Sequence, residues 1–217
     1  MKYPFSKGAN AISKLSLVLI FLVLIGALSF AMAYRQFPMA TGEGAEVVQP
    51  IPFSHKHHVQ GLGLDCRFCH NTVDKTSQAG YPDTATCFGC HSKIWNQTEI
   101  LKPVRESAAN KTPLHWFRVN RLPDHVYFNH SIHISKNIGC VSCHGEVSKM
   151  ARVVQHRSFL MRDCLECHSA PEKYVRPHEE LFNEAWNPLN QEEIGMQLIR
   201  HKNIKTPPTT NCSACHR

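Results

Sequence analysis

The strongest constraint on this chain is the placement of its ten cysteines, all of which fall in five copies of the motif C-x-x-C-H. The spacing of the two thiols suits covalent attachment of a haem through its two vinyl groups, and the histidine that follows can bind the iron from the proximal side. The predicted attachment residues are Cys66, Cys69, Cys87, Cys90, Cys140, Cys143, Cys164, Cys167, Cys212 and Cys215, and the predicted proximal ligands are His70, His91, His144, His168 and His216.

Zinc ribbons, disulfide scaffolds and thioredoxin-like redox pairs also use closely spaced cysteines. Zinc ribbons need C-x-x-C motifs in pairs, and an odd number of motifs does not divide into pairs. Neither a zinc ribbon nor a disulfide scaffold requires a histidine after every motif. The region from Phe53 to Arg217 provides only about 33 residues per motif, which is too little chain to build a large apolar core. We therefore expect five haem c groups to supply the core.

The charge pattern argues against nucleic-acid binding. The formal net charge is +7, and three of the positive charges, Lys2, Lys7 and Lys14, lie at the extreme N-terminus. The remainder of the chain has a mild positive excess and no run of Lys and Arg of the kind that binds nucleic acid. Because each haem adds two propionates, the loaded domain is expected to carry a small net negative charge.

An apolar segment follows the basic N-terminus. Residues 15–34 contain no charged side chain, and twenty residues of α-helix span about 30 Å, the thickness of the hydrocarbon core of a bilayer. We predict a cytoplasmic basic segment (1–14), a transmembrane anchor (15–34), a linker (35–52) and a periplasmic pentahaem domain (53–217) on the outer face of the bacterial inner membrane. The sequence Ala31-Met32-Ala33 leaves a cleaved signal peptide as the alternative.

The haem-binding region contains an internal repeat. Phe53-x-His55-x-x-His58 recurs as Phe128-x-His130-x-x-His133, an offset of 75 residues, and each copy is followed by two C-x-x-C-H motifs. We call residues 53–91 module 1 and residues 128–168 module 2. The fifth motif, residues 212–216, stands outside the repeat. Short helices at the motifs, long loops and very little sheet are expected.

The H-x-x-H pairs are the best candidates for distal iron ligands. Histidines three residues apart lie on one face of a helical turn and can serve two different haem groups. Each module has two motifs and two such histidines, so we predict His55, His58, His130 and His133 as distal ligands. We interpret His57, His115 and His125 as surface or hydrogen-bonded residues.

The fifth motif has no partner of this kind. We hypothesise that Met150 is the distal ligand of the fifth iron, because it lies six residues after His144 and a thioether there can reach a neighbouring iron. Alternative ligands are Met161, His156, His178 and His201.

The order of the motifs resembles a known family. The strings FSHKHHV, CRFCH, TCFGCH-SKIW, PDHVYFNHSIH, GCVSCHGEVSKM and CLECH resemble the pentahaem cytochrome c component of bacterial alternative complex III, from about residue 50 to 217. The pairing of F-x-H-x-x-H with C-x-x-C-H is also similar to the small class III cytochromes c3 and c7. The fold that this implies is mainly α and irregular, with class III-like haem packing and one N-terminal transmembrane helix.

The resemblance implies a place in a quinol:electron-acceptor oxidoreductase. In that family the expected partners are an iron–sulfur subunit related to molybdopterin enzymes, polytopic quinol-binding subunits and further cytochrome c, with a terminal oxidase beyond them. The pentahaem subunit is expected to relay electrons and to have no catalytic residue of its own.

Two other functions remain open from the residues. A small membrane-anchored multihaem quinol dehydrogenase, passing electrons to a periplasmic reductase, has the same motifs. A reductase with an open, high-spin haem needs one iron without a sixth ligand and a polar pocket beside it. Optical spectra separate these possibilities, because fully low-spin haem argues against the reductase.

Overall fold

The computed structural model describes residues 8–205 and 210–216. Lys2, Lys7 and Arg217 therefore lie outside the described residues. The chain divides into two compact units, residues 1–42 and residues 43–217.

The first unit is dominated by one long helix. Helix α1 (Ala9–Tyr34) has 26 residues and buries none of them, and a short helix, α2 (Pro38–Thr41), follows it. Helix α1 contains all of the predicted segment 15–34 and starts six residues before it. At 1.5 Å per residue it is about 39 Å long. Within residues 8–205 and 210–216, α1 is the one helix long and apolar enough to cross a membrane, a test that a signal sequence also passes.

The second unit consists of short helices joined by turns. The α-helices are α3 (Cys66–Cys69), α4 (Thr84–His91), α5 (Lys102–Asn110), α6 (His130–Ser135), α7 (Val141–His144), α8 (Met161–Ser169), α9 (Gln191–His201) and α10 (Cys212–Cys215). A π-helical segment (Lys56–Gly61) and 3-10 turns at Glu99–Leu101, Val147–Lys149, Pro171–Lys173 and His178–Glu180 complete the set. In the described part of the unit, extended segments meet only as isolated bridges, so the mainly α and irregular fold is confirmed.

The cysteine motifs coincide with helical turns for a local reason. Asp65, Asp83 and Asn211 precede α3, α4 and α10, and each side chain accepts a hydrogen bond from a backbone N–H of the first turn. Such N-caps fix where a helix begins. The two thiols of each motif consequently lie one turn apart, on the same side of the helix.

The apolar core of the second unit is small. Only eight apolar residues are buried among those described, and six of them form two clusters. Ile51, Leu101 and Val104 pack against Cys87 of the second motif. In the other cluster, Val73, Ile134 and Leu181 pack against Cys140 of the third motif, so both clusters meet a cysteine of a C-x-x-C-H motif.

Candidate haem sites

Each motif histidine faces a second histidine ring. We number the sites by motif, from site 1 (Cys66-Cys69-His70) to site 5 (Cys212-Cys215-His216). The ring centres of the facing pairs are 6.4 Å apart for His55–His70, 6.2 Å for His58–His91, 6.3 Å for His130–His144 and 6.4 Å for His133–His168. An iron held by imidazole nitrogens about 2 Å away on both sides places the ring centres a little over 6 Å apart. All four pairs have the spacing that an iron requires.

The fifth site pairs His216 with His125. Their ring centres are 5.6 Å apart and their planes differ by 20°. The backbone holds this pair in place, because Val126 bridges His216 and the Tyr127 N–H donates to the Cys215 carbonyl at 2.7 Å. His125 is exposed, as expected of a surface residue, but its ring faces the fifth motif.

Met150 occupies a different place. Its backbone carbonyl accepts a hydrogen bond from the N–H of Lys56, at the start of the π-helical segment of module 1. It follows the turn Val147–Lys149 and is half-buried there. The structure thus puts Met150 against module 1, and it is His125 that stands opposite His216.

The other candidate ligands for the fifth iron lie in parts of the fold where, among the described residues, no ring contact with His216 is seen. Met161 starts α8 with 64% of its surface exposed, and His178 and His201 lie in the turn His178–Glu180 and at the end of α9. His156 lies against Gly145, where an added Cβ would come within 2.6 Å of its ring. That places His156 beside site 3, whose proximal ligand His144 already faces His130.

Hydrogen bonds set which ring nitrogen carries the proton. A carbonyl oxygen can only accept, so an Nδ1 that contacts one must be the protonated nitrogen, and this leaves the Nε2 lone pair for a metal. Contacts of this kind join Nδ1 of His58 to Ser54, His70 to Gly80, His91 to Ile94, His130 to Ser77 and His133 to Asn129, at 2.7 to 3.3 Å.

One of these bonds requires a glycine at position 80. The φ of Gly80 is +75°, in the left-handed region, and an added Cβ would come within 2.6 Å of Thr72 Oγ1. Glycine avoids both the backbone strain and the close contact. The Gly80 carbonyl is thereby free to accept from His70 Nδ1 at 2.8 Å.

Burial favours the neutral form of five of the candidate ligand histidines. It lowers the pKa of His55 to about 4 and that of His144 to about 4, with neighbouring histidines adding to the effect. Burial also lowers the pKa of His58, His130 and His133. A neutral imidazole is the form that binds a metal.

The same burial acts on the thiols, and none of the ten is in a disulfide bond. Burial raises the pKa of Cys140 to about 12 and that of Cys167 to about 12. Unpaired thiols one turn apart, which at four motifs lie beside a pair of imidazoles at iron-binding spacing, fit haem c. When bound, haem c supplies the one-electron change of its iron, and the chain's residues attach it, ligate it and set its surroundings.

The ring planes differ systematically between sites. The planes are nearly parallel at site 1 (1°) and site 3 (6°), but they cross at 64° at site 2 and 56° at site 4. The first site of each module therefore has parallel rings and the second has crossed rings.

His125 faces a motif histidine although the sequence interpretation did not select it as a ligand. The 75-residue offset maps it onto Pro50, so module 2 is preceded by a histidine that module 1 lacks. The motif without an H-x-x-H partner is the additional one after module 2. The sequence therefore has one extra histidine before module 2 and one extra motif after it, and matching these two additions was the available signal.

Comparison with known proteins supports a multihaem cytochrome c domain. Residues 126–217 match the family described as cytochrome c7 and related cytochrome c. Over 97 residues, the chain is 38% identical to a protein of Nitratidesulfovibrio vulgaris named menaquinone reductase, multiheme cytochrome c subunit. This match covers 44% of the chain and 45% of the relative, less than half of either. The chain thus contains a cytochrome c7-like multihaem domain, with covalently bound haem c as its cofactor.

Proposed function

We propose that this chain is the electron-transfer subunit of a membrane quinol:electron-acceptor oxidoreductase of the alternative complex III type. It relays electrons through five haem c groups, one at each C-x-x-C-H motif, toward cytochrome c and a terminal oxidase. The axial pairs are His55–His70, His58–His91, His130–His144, His133–His168 and His125–His216.

The observation that carries the proposal is that every motif histidine faces a second histidine. An iron with two strong nitrogen ligands is six-coordinate and low-spin, and it has no open position for a substrate. Such an iron exchanges electrons and does no other chemistry. Five sites of this kind favour a relay over a reductase with an open haem.

Membrane attachment is assigned to α1. The exposed apolar side chains along it suit lipid contact, and the basic residues before it favour a cytoplasmic N-terminus. The domain that starts near residue 53 then lies on the outer face of the inner membrane, in the compartment of c-type haem attachment.

The expected partners are an iron–sulfur or molybdopterin-like subunit, polytopic quinol-binding subunits and further cytochrome c. The name of the Nitratidesulfovibrio relative links a multihaem subunit to quinone chemistry in the reducing direction. The resemblance to alternative complex III favours quinol oxidation for this chain. The direction depends on the potentials of the donor and the acceptor, and the axial ligands are compatible with both.

The test is purification of the native complex through an affinity tag on the N-terminus of the full chain. We expect co-purified polytopic and iron–sulfur subunits, haem spectra that are fully low-spin, and quinol oxidation only while these partners remain bound. Quinol oxidation by the isolated subunit would instead identify a small quinol dehydrogenase. A high-spin fraction that binds nitrite would identify a reductase.

A further inference from the structure

We infer that the five sites form one unbranched series in the order site 2, site 1, site 3, site 4, site 5. This order differs from the order along the chain, and it makes sites 2 and 5 the two ends. The inference rests on the proposed function in one respect, namely that each motif holds a haem.

Sites 1 and 2 are neighbours because one helical turn supplies a ligand to each. His55 immediately precedes the segment Lys56–Gly61 and faces His70, while His58, three residues later, faces His91.

Sites 3 and 4 are joined in the same way. His130 and His133 lie on the same turn of α6 and face His144 and His168. The Arg157 side chain connects the two motifs, because it donates to the Ser142 carbonyl at 3.3 Å and to the Glu166 carboxylate at 2.9 Å.

The two modules meet through sites 1 and 3. In the loop after His70, the Ser77 carbonyl accepts hydrogen bonds from both the backbone N–H and the Nδ1 of His130, at 3.3 and 2.9 Å. Val73 of this loop shares an apolar cluster with Cys140 of site 3. The second ligand of site 3 is therefore fixed by the segment that follows the first motif.

Site 5 attaches to the module 2 end of the series. Its histidine His125 and the backbone that pairs with Cys215 and His216 lie directly before α6. Within module 2 we assign site 4 as its neighbour, because site 3 already adjoins sites 1 and 4, whereas site 4 adjoins site 3 alone.

The order has a functional consequence. Sites 1, 3 and 4 each have a neighbour on both sides and can only pass electrons on, whereas sites 2 and 5 have one neighbour each. Exchange with the donor and with the acceptor is assigned to these two ends. An electron that enters at site 2 leaves module 1 through site 1, although site 1 comes first in the sequence.

The direct test is cryo-electron microscopy of the native, haem-loaded complex, which locates all five irons. The nearest neighbours of iron 1 should be irons 2 and 3, and those of iron 4 should be irons 3 and 5. An iron 5 nearer to iron 1 or 2 than to iron 4, or an iron 2 nearer to iron 3 than to iron 1, overturns the order. Fewer than five irons would instead count against the proposed function.

A matched pair of variants tests the order in solution. His58→Met and His55→Met change adjacent ligands on one turn, and a methionine ligand raises the potential of its site. At a potential where only that site is reduced and diamagnetic, the EPR signals of its neighbours should sharpen. We expect one sharpened signal for His58→Met and two for His55→Met, while equal numbers for the two variants contradict the order. Intact mass verifies that both variants retain five haem groups, and quinol activity plays no part in the readout.

Discussion

Modules 1 and 2 present their ligands in the same geometry on different backbones. The ring centres of Phe53 and His58 are 4.3 Å apart with a 27° tilt, and those of Phe128 and His133 are 4.5 Å apart with a 26° tilt. Yet the ligands of module 1 begin a π-helical segment and those of module 2 begin an α-helix. The local F-x-H-x-x-H unit, rather than the type of helix, therefore sets the direction of the rings.

The modules differ in how their ligands are supported. Nδ1 of His130 donates to Ser77 of module 1, whereas Nδ1 of the equivalent His55 is buried and has no hydrogen-bond partner among the described residues. Burial raises thiol pKa values to about 12 at Cys140 and Cys167, both in module 2. Module 2 thus depends on module 1 for one of its ligand contacts.

The largest expected effect comes from removing a haem at the centre of this arrangement. The double variant Cys140→Ala/Cys143→Ala removes attachment at a site where burial raises the pKa of both thiols, and we expect the amount of folded protein to fall by about tenfold or more. The matched variant Cys212→Ala/Cys215→Ala acts at the end of the series and should leave a four-haem protein. Intact mass and haem staining of membranes measure both. Equal accumulation of the two variants would show that the haem groups are not the core.

Removing a distal ligand should change one site in five. His58→Ala and His133→Ala each leave one iron five-coordinate, so resonance Raman spectra should show about one fifth of the haem as high-spin. His125→Ala should do the same at site 5. Met150→Ala is the control and should stay fully low-spin. A high-spin fraction in Met150→Ala and none in His125→Ala would make Met150 the ligand of site 5.

Much of this ligand set follows from sequence. The motifs predict the proximal histidines, and the 75-residue repeat predicts four distal ones because their spacing is local. His125 could not be assigned to His216 in this way, since 91 residues separate the two and backbone pairing brings them together. The order of the sites is also hidden, because it depends on contacts such as Ser77 with His130 that no motif encodes.

Differences in burial should appear as differences in potential. A ferric haem with two neutral ligands carries one net positive charge, which burial disfavours relative to the neutral ferrous form. Site 4, where burial raises the pKa of Cys167 to about 12, should therefore have a higher reduction potential than site 2, its equivalent in module 1. A redox titration followed by EPR measures both, since their crossed rings give them similar signals. A lower potential at site 4 would mean that nearby charges outweigh burial.

The smallest effect is expected from Gly80→Ala. The added methyl group displaces the Gly80 carbonyl from His70 Nδ1, and a weaker hydrogen bond to this nitrogen makes the ligand less basic. The potential of site 1 should rise slightly, with site 3 unchanged. Gly63→Ala is the control, because Gly63 also has a positive φ (+69°) but nothing lies within 4 Å of an added Cβ. An equal shift in both variants would assign the effect to backbone strain.

The EPR spectrum of the fully oxidised protein tests most directly whether every motif histidine is paired with a second histidine. The angle between two imidazole planes sets the splitting of the iron d orbitals, so parallel rings give rhombic signals and crossed rings give signals with a large maximal g value. The ring angles predict two large-g signals, from sites 2 and 4, and three rhombic signals, from sites 1, 3 and 5. A high-spin signal, a sulfur-to-iron charge-transfer band in the matching optical spectrum, or five signals of a single class would contradict it.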